Sequence, residues 1–148
     1  MTRIPLVIHE RLGHWARQIR PRVATWPVRV IETRSASDLA AALARSACPL
    51  VVLDLADRIR AALDELDRAL PAAPNALVLV LDPGAHATVG PLARELGATH
   101  VLAGRVPPPE VLHLLARWLP LARRRAEADG WAGEPEPEPW DLLVSPLT

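Results

Sequence analysis

Pro49-Leu-Val-Val-Leu53 is a run of apolar side chains in which no polar residue alternates with an apolar one. A strand with one face in water shows such alternation, so this run predicts a strand that is buried on both faces. Asp54 follows the run, and residues 58–70 then carry apolar side chains at helical spacing. A buried strand followed by a helix is the repeating unit of a parallel sheet that helices cover on both faces.

The same alternation continues on both sides of this unit. Short apolar runs predict four further strands, over residues 5–8, 27–31, 76–81 and 100–103. Stretches of helical period follow these strands, over residues 11–24, 39–47, 88–96 and 107–127. We number the predicted strands β1–β5 and the predicted helices α1–α5 in chain order. Five such units predict an α/β domain, with a doubly wound, five-stranded parallel sheet in the order 2-1-3-4-5 and helices on both faces.

The composition changes near residue 129, which divides the chain into a predicted domain over residues 1–128 and an extended tail over residues 129–148. Within the tail, Glu134-Pro-Glu-Pro-Glu-Pro139 predicts a stiff spacer. An apolar peptide follows the spacer, and we predict that it binds a protein partner by adding a strand or by filling a groove. Its partner-binding side chains are Trp140, Leu142, Leu143 and Val144.

Basic and acidic residues are equal in number, with 17 of each, and every basic one is an arginine. The lack of net charge argues against binding to nucleic acid. Without lysine the chain has no Schiff-base or phosphate-loop lysine, and no G-x-S-x-G pattern of a hydrolase occurs. We therefore predict a protein that is not an enzyme and that needs no cofactor.

Cys48 is the only cysteine, so no disulfide can form within the chain. Residues 1–10 lack the apolar run of a secretory leader, and no segment has the length and apolar character of a membrane span. These features predict a cytoplasmic protein without a membrane span.

Polar residues follow the predicted strands at the edge of the sheet where function is expected. In a doubly wound sheet the functional crevice lies beyond the carboxyl ends of the strands, at the switch between β1 and β3. The residues that the pattern places there are His9, Glu10, Asp54, Asp82, Gly104 and Arg105.

Two stretches resemble response-regulator receiver domains, which have a flavodoxin-like fold. Val51-Val-Leu-Asp54-Leu is similar to their phosphoacceptor strand, and Gly97-Ala-Thr-His-Val-Leu is similar to the stretch that leads into their last strand. The order and lengths of the elements match over residues 4–127. The resemblance implies that Asp54 occupies the phosphoacceptor position and that Glu10 stands for one of the acids that hold magnesium.

The sequence departs from the receiver pattern at the positions that handle a phosphoryl group. Asp82 stands where receivers carry a hydroxyl, Val101 where they carry an aromatic switch residue, and Gly104 where they carry a cationic lysine. An Asp82 carboxylate ~8 Å from Asp54 would repel it by ~2 kcal/mol at an effective dielectric of ~20. We therefore predict weak or absent phosphorylation and no bound metal, with Glu10, Asp54 and Asp82 as the residues that could still hold Mg²⁺.

The leading hypothesis is a degenerate pseudo-receiver without a catalytic residue, which acts as a protein–protein interaction adaptor or as a structural subunit of a larger bacterial assembly. Its partner-binding surfaces would be the tail and the face of α4, β5 and α5, where Trp118 lies and where a homodimer could form. One alternative is a signalling receiver that is phosphorylated on Asp54 with Mg²⁺. A second alternative is a domain that binds a small ligand, such as a nucleotide or flavin. The sequence leaves the partner, the pathway and the oligomeric state open.

Overall fold

The structure, a computed structural model, describes residues 3–129. Its strands are β1 (Ile4–His9), β2 (Val28–Thr33), β3 (Leu50–Asp54), β4 (Leu77–Asp82) and β5 (His100–Ala103). Its helices are α1 (His14–Arg22), α2 (Ala36–Ala44), α3 (Ile59–Ala69), α4 (Val89–Glu95) and α5 (Pro108–Ala128), with a 3₁₀ turn over Leu70–Ala72. The partner-binding candidates Trp140, Leu142, Leu143 and Val144 lie outside the described residues. The tail and the boundary at residue 128 therefore stay predictions.

The five strands form one parallel sheet in the order β2-β1-β3-β4-β5, which confirms the predicted fold class. The two unbroken apolar runs are strands β3 and β4 in the interior of the sheet, where Leu50–Leu53 and all of β4 are buried. Helices cover both faces there, so of all positions on these two strands only Asp54, at the carboxyl end of β3, is partly exposed. The edge strands β2 and β5 are partly exposed, which accounts for their weaker apolar pattern.

Alternate side chains of the strands point to opposite faces of the sheet and build two layers of core. On one face, Leu6 and Leu79 belong to a cluster with buried residues of α1 and α5. On the other face, Val51 and Val80 belong to a cluster with buried residues of α2, α3 and α4. Because all strands are parallel, their carboxyl ends meet at a single edge of the sheet.

The structure corrects the bounds of two predicted helices. Helix α2 covers Ala36–Ala44 rather than residues 39–47, because Ser35 accepts a hydrogen bond from the N–H of Asp38 and caps the helix at that position. Helix α1 covers His14–Arg22 rather than residues 11–24. It begins only after Gly13, whose φ of 78° is left-handed and cannot belong to the helix.

Helix α5 is 21 residues long and continues through Pro120. Its inner face contributes Val111 and Leu115 to the core, whereas Trp118 is half-buried at the margin of the same layer. No helix within residues 3–129 combines the length and apolar character needed to cross a bilayer.

Candidate functional site

Asp54 ends strand β3 and lines a cleft of about 410 Å³ at the carboxyl edge of the sheet. The start of α1, the end of β4 and the loop after β5 form the other walls. These walls consist of His14, Trp15, Leu81, Pro83, Gly104, Arg105 and Val106. The cleft brings Asp54 together with residues 104 and 105, as the predicted strand order requires.

The carboxyl group of Asp54 is partly buried, and this burial is the main reason why its pKa is raised above the ordinary value. A hydrogen bond from the backbone N–H of Ala56 lowers this pKa, while the negative charge of Glu10 raises it further. The charge of His14 lowers the pKa of Asp54 and that of Asp57 raises it. The surroundings of Asp54 therefore favour its neutral form more than water does.

Glu10 is buried and its carboxylate holds the beginning of helix α1. Its Oε1 atom accepts a hydrogen bond from the N–H of Trp15, and its Oε2 atom accepts one from the N–H of Ala16, each at 2.8 Å. A carboxylate at this end of a helix satisfies free N–H groups and complements the positive end of the helix dipole. Both oxygens of the predicted magnesium ligand are thus engaged by the backbone.

Asp82 is buried and its carboxylate is engaged by the loop that follows β4. Its Oδ2 atom accepts the N–H of His86 at 2.7 Å, and its Oδ1 atom lies 2.9 Å from Nδ1 of the same histidine. Asp82 was predicted to repel Asp54, but the acids that raise the pKa of Asp54 are Glu10 and Asp57. The predicted site residues did not include His86, which is the partner of Asp82.

Gly104 takes the position of the receiver lysine, and its φ of 88° is one that residues with a side chain rarely adopt. Its N–H donates a hydrogen bond to the carbonyl of Asp82 at 2.8 Å. The neighbouring Arg105 and the more distant His14 both line the cleft that contains Asp54. Arg105 was expected in this crevice, and its guanidinium is a positive group close to the position that the lysine occupies in receivers.

His9 does not line the cleft but lies buried in the core, where it links three elements. Its Nδ1 atom is 2.8 Å from Oγ1 of Thr33 on β2, and its Nε2 atom is 2.6 Å from Oε2 of Glu65 on α3. Arg58 donates a hydrogen bond to the other oxygen of Glu65 at 2.8 Å. Thr33, Glu65 and Arg58 lie 24 or more residues from His9 along the chain, so no local sequence pattern linked them to it.

The acids of the cleft do not form a metal site. Within the described part of the chain, no three His, Cys, Asp or Glu side chains lie close enough together to hold a metal ion. Glu10 and Asp82 are engaged by α1 and by His86, which leaves Asp54 as the one magnesium candidate on the cleft wall. The residues present therefore do not fit the cluster of oxygen ligands that Mg²⁺ requires.

Solved structures resemble the chain over most of its length. A CheY-like response regulator receiver domain protein from Methanospirillum hungatei superposes with a TM-score of 0.71 and 13% identity, over 83% of this chain and 98% of that one. A Burkholderia pseudomallei response regulator with a phosphorylated aspartic acid, a calcium ion and citrate gives a TM-score of 0.64 and 16% identity, over 74% of this chain and 64% of that one. This chain therefore spans less than two thirds of the Burkholderia protein.

The fold is that of a receiver domain. A structure of an adenylate cyclase from Rhodopirellula baltica also matches, with a TM-score of 0.71 and 11% identity, over 86% of this chain and 96% of that one. No protein-family model matches the sequence, and no curated protein does. The resemblance to receivers is confirmed, but identities this low establish the fold and not the activity.

On this receiver fold the face of α4, β5 and α5 contains partly exposed apolar residues. Trp118 packs against the core layer under α5, so only part of its indole is available to a partner. Val101 and Leu102 on the edge strand β5 of this face are half-buried. Of the predicted partner-binding residues, Trp118 is the one within residues 3–129.

Proposed function

We propose that the chain is a non-catalytic pseudo-receiver, which serves as a protein–protein interaction adaptor or as a structural subunit of a bacterial assembly. The observation that carries this proposal is the position of Glu10. Both of its carboxylate oxygens accept N–H groups of α1, so the acid that would hold magnesium next to Asp54 instead holds the helix. Releasing it would leave two N–H groups of a buried helix end without partners.

Two further contacts support the same proposal. The hydroxyl position of receivers is taken by Asp82, whose negative charge is engaged by His86, and the lysine position is taken by Gly104. An aspartyl phosphate on Asp54 would add charge beside Glu10 and Asp57, which already raise the pKa of Asp54. The proposed function therefore depends on surfaces that bind other proteins and not on a reacting side chain.

Phosphorylation-dependent signalling is the second candidate function, and one observation favours it. Arg105 and His14 line the same cleft as Asp54, and positive groups in this position could pair with a phosphoryl group. In this function Asp54 would accept the phosphoryl group and the two cations would replace the lysine.

Treatment with acetyl phosphate separates the two functions. The full chain is incubated with the phosphodonor in the presence and absence of Mg²⁺, and its mass is measured. The pseudo-receiver is expected to gain no phosphoryl mass under either condition. A mass gain that disappears in the Asp54→Asn variant and persists in the Asp57→Asn variant would overturn the proposal in favour of the second candidate.

We propose that the protein works in the cytoplasm, where its free Cys48 stays reduced.

We propose that partners bind through the tail at residues 129–148 and through the α4, β5 and α5 face. Recovery of protein partners by the full chain is compared with recovery by a chain truncated after Asp129. Loss of specific partners on truncation is expected. Unchanged recovery would assign binding to the helical face instead, and a Trp118→Ala variant then tests that face.

A further inference from the structure

Helices α3 and α4 leave an open groove between them, which we call the α3–α4 groove. It has a volume of about 800 Å³ and is far larger in apolar than in polar surface. Leu92 in this groove is 45% exposed, and only one other large apolar side chain among residues 3–129, Leu12, is as open to solvent. The residues of the groove used below are Ile59, Arg60, Leu63, Val89, Leu92 and Leu96.

The tail leaves the domain at a point from which this groove is accessible. Helix α5 ends at Ala128, and the carboxylate of the next residue, Asp129, accepts a hydrogen bond from the side-chain amide of Asn75 just before β4. Arg125 on the last turn of α5 also donates to the carbonyl of Asn75 at 3.2 Å. These two contacts hold the start of the tail at the amino edge of the sheet, beside the segment that leads from α3 into β4.

A second cleft connects this point with the α3–α4 groove. It is lined by Pro74 and Ala76, the two neighbours of Asn75 in sequence, and also by Asp67 and Leu96. Asp67 and Leu96 line the α3–α4 groove as well. The two depressions are therefore continuous, and they lead from the end of α5 to the space between α3 and α4.

We propose that the apolar peptide of the tail, residues 140–144, binds in the α3–α4 groove of its own chain. Residues 130–139 connect it to Asp129, and ten extended residues span up to ~31 Å at ~3.1 Å per residue. Helix α3, with 11 residues, is only ~16 Å long. The extended spacer is thus about twice as long as the helix that forms one wall of the groove.

The chemistry of the peptide fits the groove. Trp140, Leu142, Leu143 and Val144 supply the apolar side chains that Leu92 and its neighbours lack as partners. The groove wall carries Arg60 together with the acids Asp64 and Asp67. Asp64 forms an ion pair with Arg68, whereas Arg60 forms none within residues 3–129 and is available to the carboxylate of Asp141. Burial of such apolar surface favours binding, and the tether raises the effective concentration of the peptide.

This inference rests on the proposed function, because it names what the tail binds when no partner is present. The same apolar side chains cannot fill the groove and contact a partner at once. A partner that captures the peptide therefore exposes the α3–α4 groove, and a protein that enters the groove releases the peptide.

Disulfide trapping in the full chain tests the proposal. Leu92→Cys is combined with Leu143→Cys, and the matched control combines Leu12→Cys with Leu143→Cys. Leu12 is 73% exposed and lies at the carboxyl edge of the sheet, away from the groove, while the native Cys48 is buried and does not compete. We expect the first pair to form an intramolecular disulfide at least ~10-fold faster than the control, as a docked peptide requires.

Equal rates for the two pairs would overturn the proposal, and so would disulfides found only between two chains, which would indicate a second copy in the groove.

Hydrogen exchange gives an independent measurement. The double variant Trp140→Asp with Leu143→Asp is expected to speed hydrogen exchange in Val89–Glu95 at least ~3-fold, whereas Glu136→Gln is expected to leave it unchanged. Unchanged exchange also contradicts docking. If docking fails but truncation still abolishes partner recovery, the proposed function stands without this inference.

Discussion

The Nε2 atom of His9 lies 2.6 Å from Oε2 of Glu65, although 56 residues separate them in the chain. The contact ties strand β1 to helix α3 inside the core, and Glu65 also accepts a hydrogen bond from Arg58. The side chain of Glu65 is 13% exposed, so little water is available to replace either partner.

Glu65→Ala should lower the free energy of unfolding by ~1–3 kcal/mol, because the buried His9 and the half-buried Arg58 both lose their acceptor. Urea denaturation measures the change. Asp64→Ala is the matched control on the same helix, since Asp64 forms an exposed ion pair with Arg68 that should contribute less than ~1 kcal/mol. Equal losses in the two variants would show that the His9–Glu65 contact is not stabilising.

Glu10→Gln should lower the free energy of unfolding by ~1–3 kcal/mol, because a neutral amide can accept only one of the two N–H groups at the start of α1. Glu32→Gln is the control, since Glu32 forms an ion pair with Arg20 at the surface.

Thermal unfolding of the native chain should not shift with added Mg²⁺. A clear rise in Tm with Mg²⁺ that Glu10→Gln abolishes would instead identify Glu10 as a metal ligand.

Asp54→Asn should stabilise the protein at neutral pH, and the gain should disappear in acid. Burial raises the pKa of Asp54 in the folded state, so the folded protein binds its proton more tightly than the unfolded chain does. Below the pKa of the unfolded chain, Asp54 is protonated in both the folded and the unfolded state, so its burial does not lower the free energy of unfolding. As pH rises from the unfolded to the folded pKa, the charged form becomes a cost to the folded state, and that cost is complete above the folded pKa.

Urea denaturation of the native chain and of Asp54→Asn, between about pH 3 and pH 7, measures this effect. Asparagine keeps an acceptor for the N–H of Ala56, so the comparison isolates the charge. Asp64→Asn, at an exposed position, is the control and should show no such gain. A native chain that is more stable than Asp54→Asn at neutral pH would contradict the prediction.

Trp118→Ala should destabilise the domain by ~2 kcal/mol, because the half-buried indole packs against the core layer under α5. Leu12→Ala is the control, since Leu12 is 73% exposed and its loss should be nearly neutral. Chemical denaturation gives both values. An unchanged stability in Trp118→Ala would mean that the indole serves the surface alone.

Part of the candidate site, like the fold, could be predicted from the sequence. Parallel strands bring their carboxyl ends to one edge, so the placement of Asp54 near Arg105 follows from strand order. The partners of Glu10 and Asp82 could not be predicted, since each contact depends on the path of the chain after the strand, which packing sets. Glu65 lies on the same side of α3 as Ala62, three residues earlier, and this helical spacing is the only sequence feature that indicates its partial burial.

The sequence by itself determined the five strands, their order and their buried faces, because apolar periodicity is local and strand connections obey general rules of handedness. Only the tertiary structure decided that Glu10 holds α1, that His86 engages Asp82 and that His9 binds Glu65. Each of these contacts depends on the direction of a single side chain. For His9 and Glu65 that direction is set by the packing of elements 56 residues apart, and for Glu10 and Asp82 by the path of the chain after each strand, which apolar periodicity does not encode.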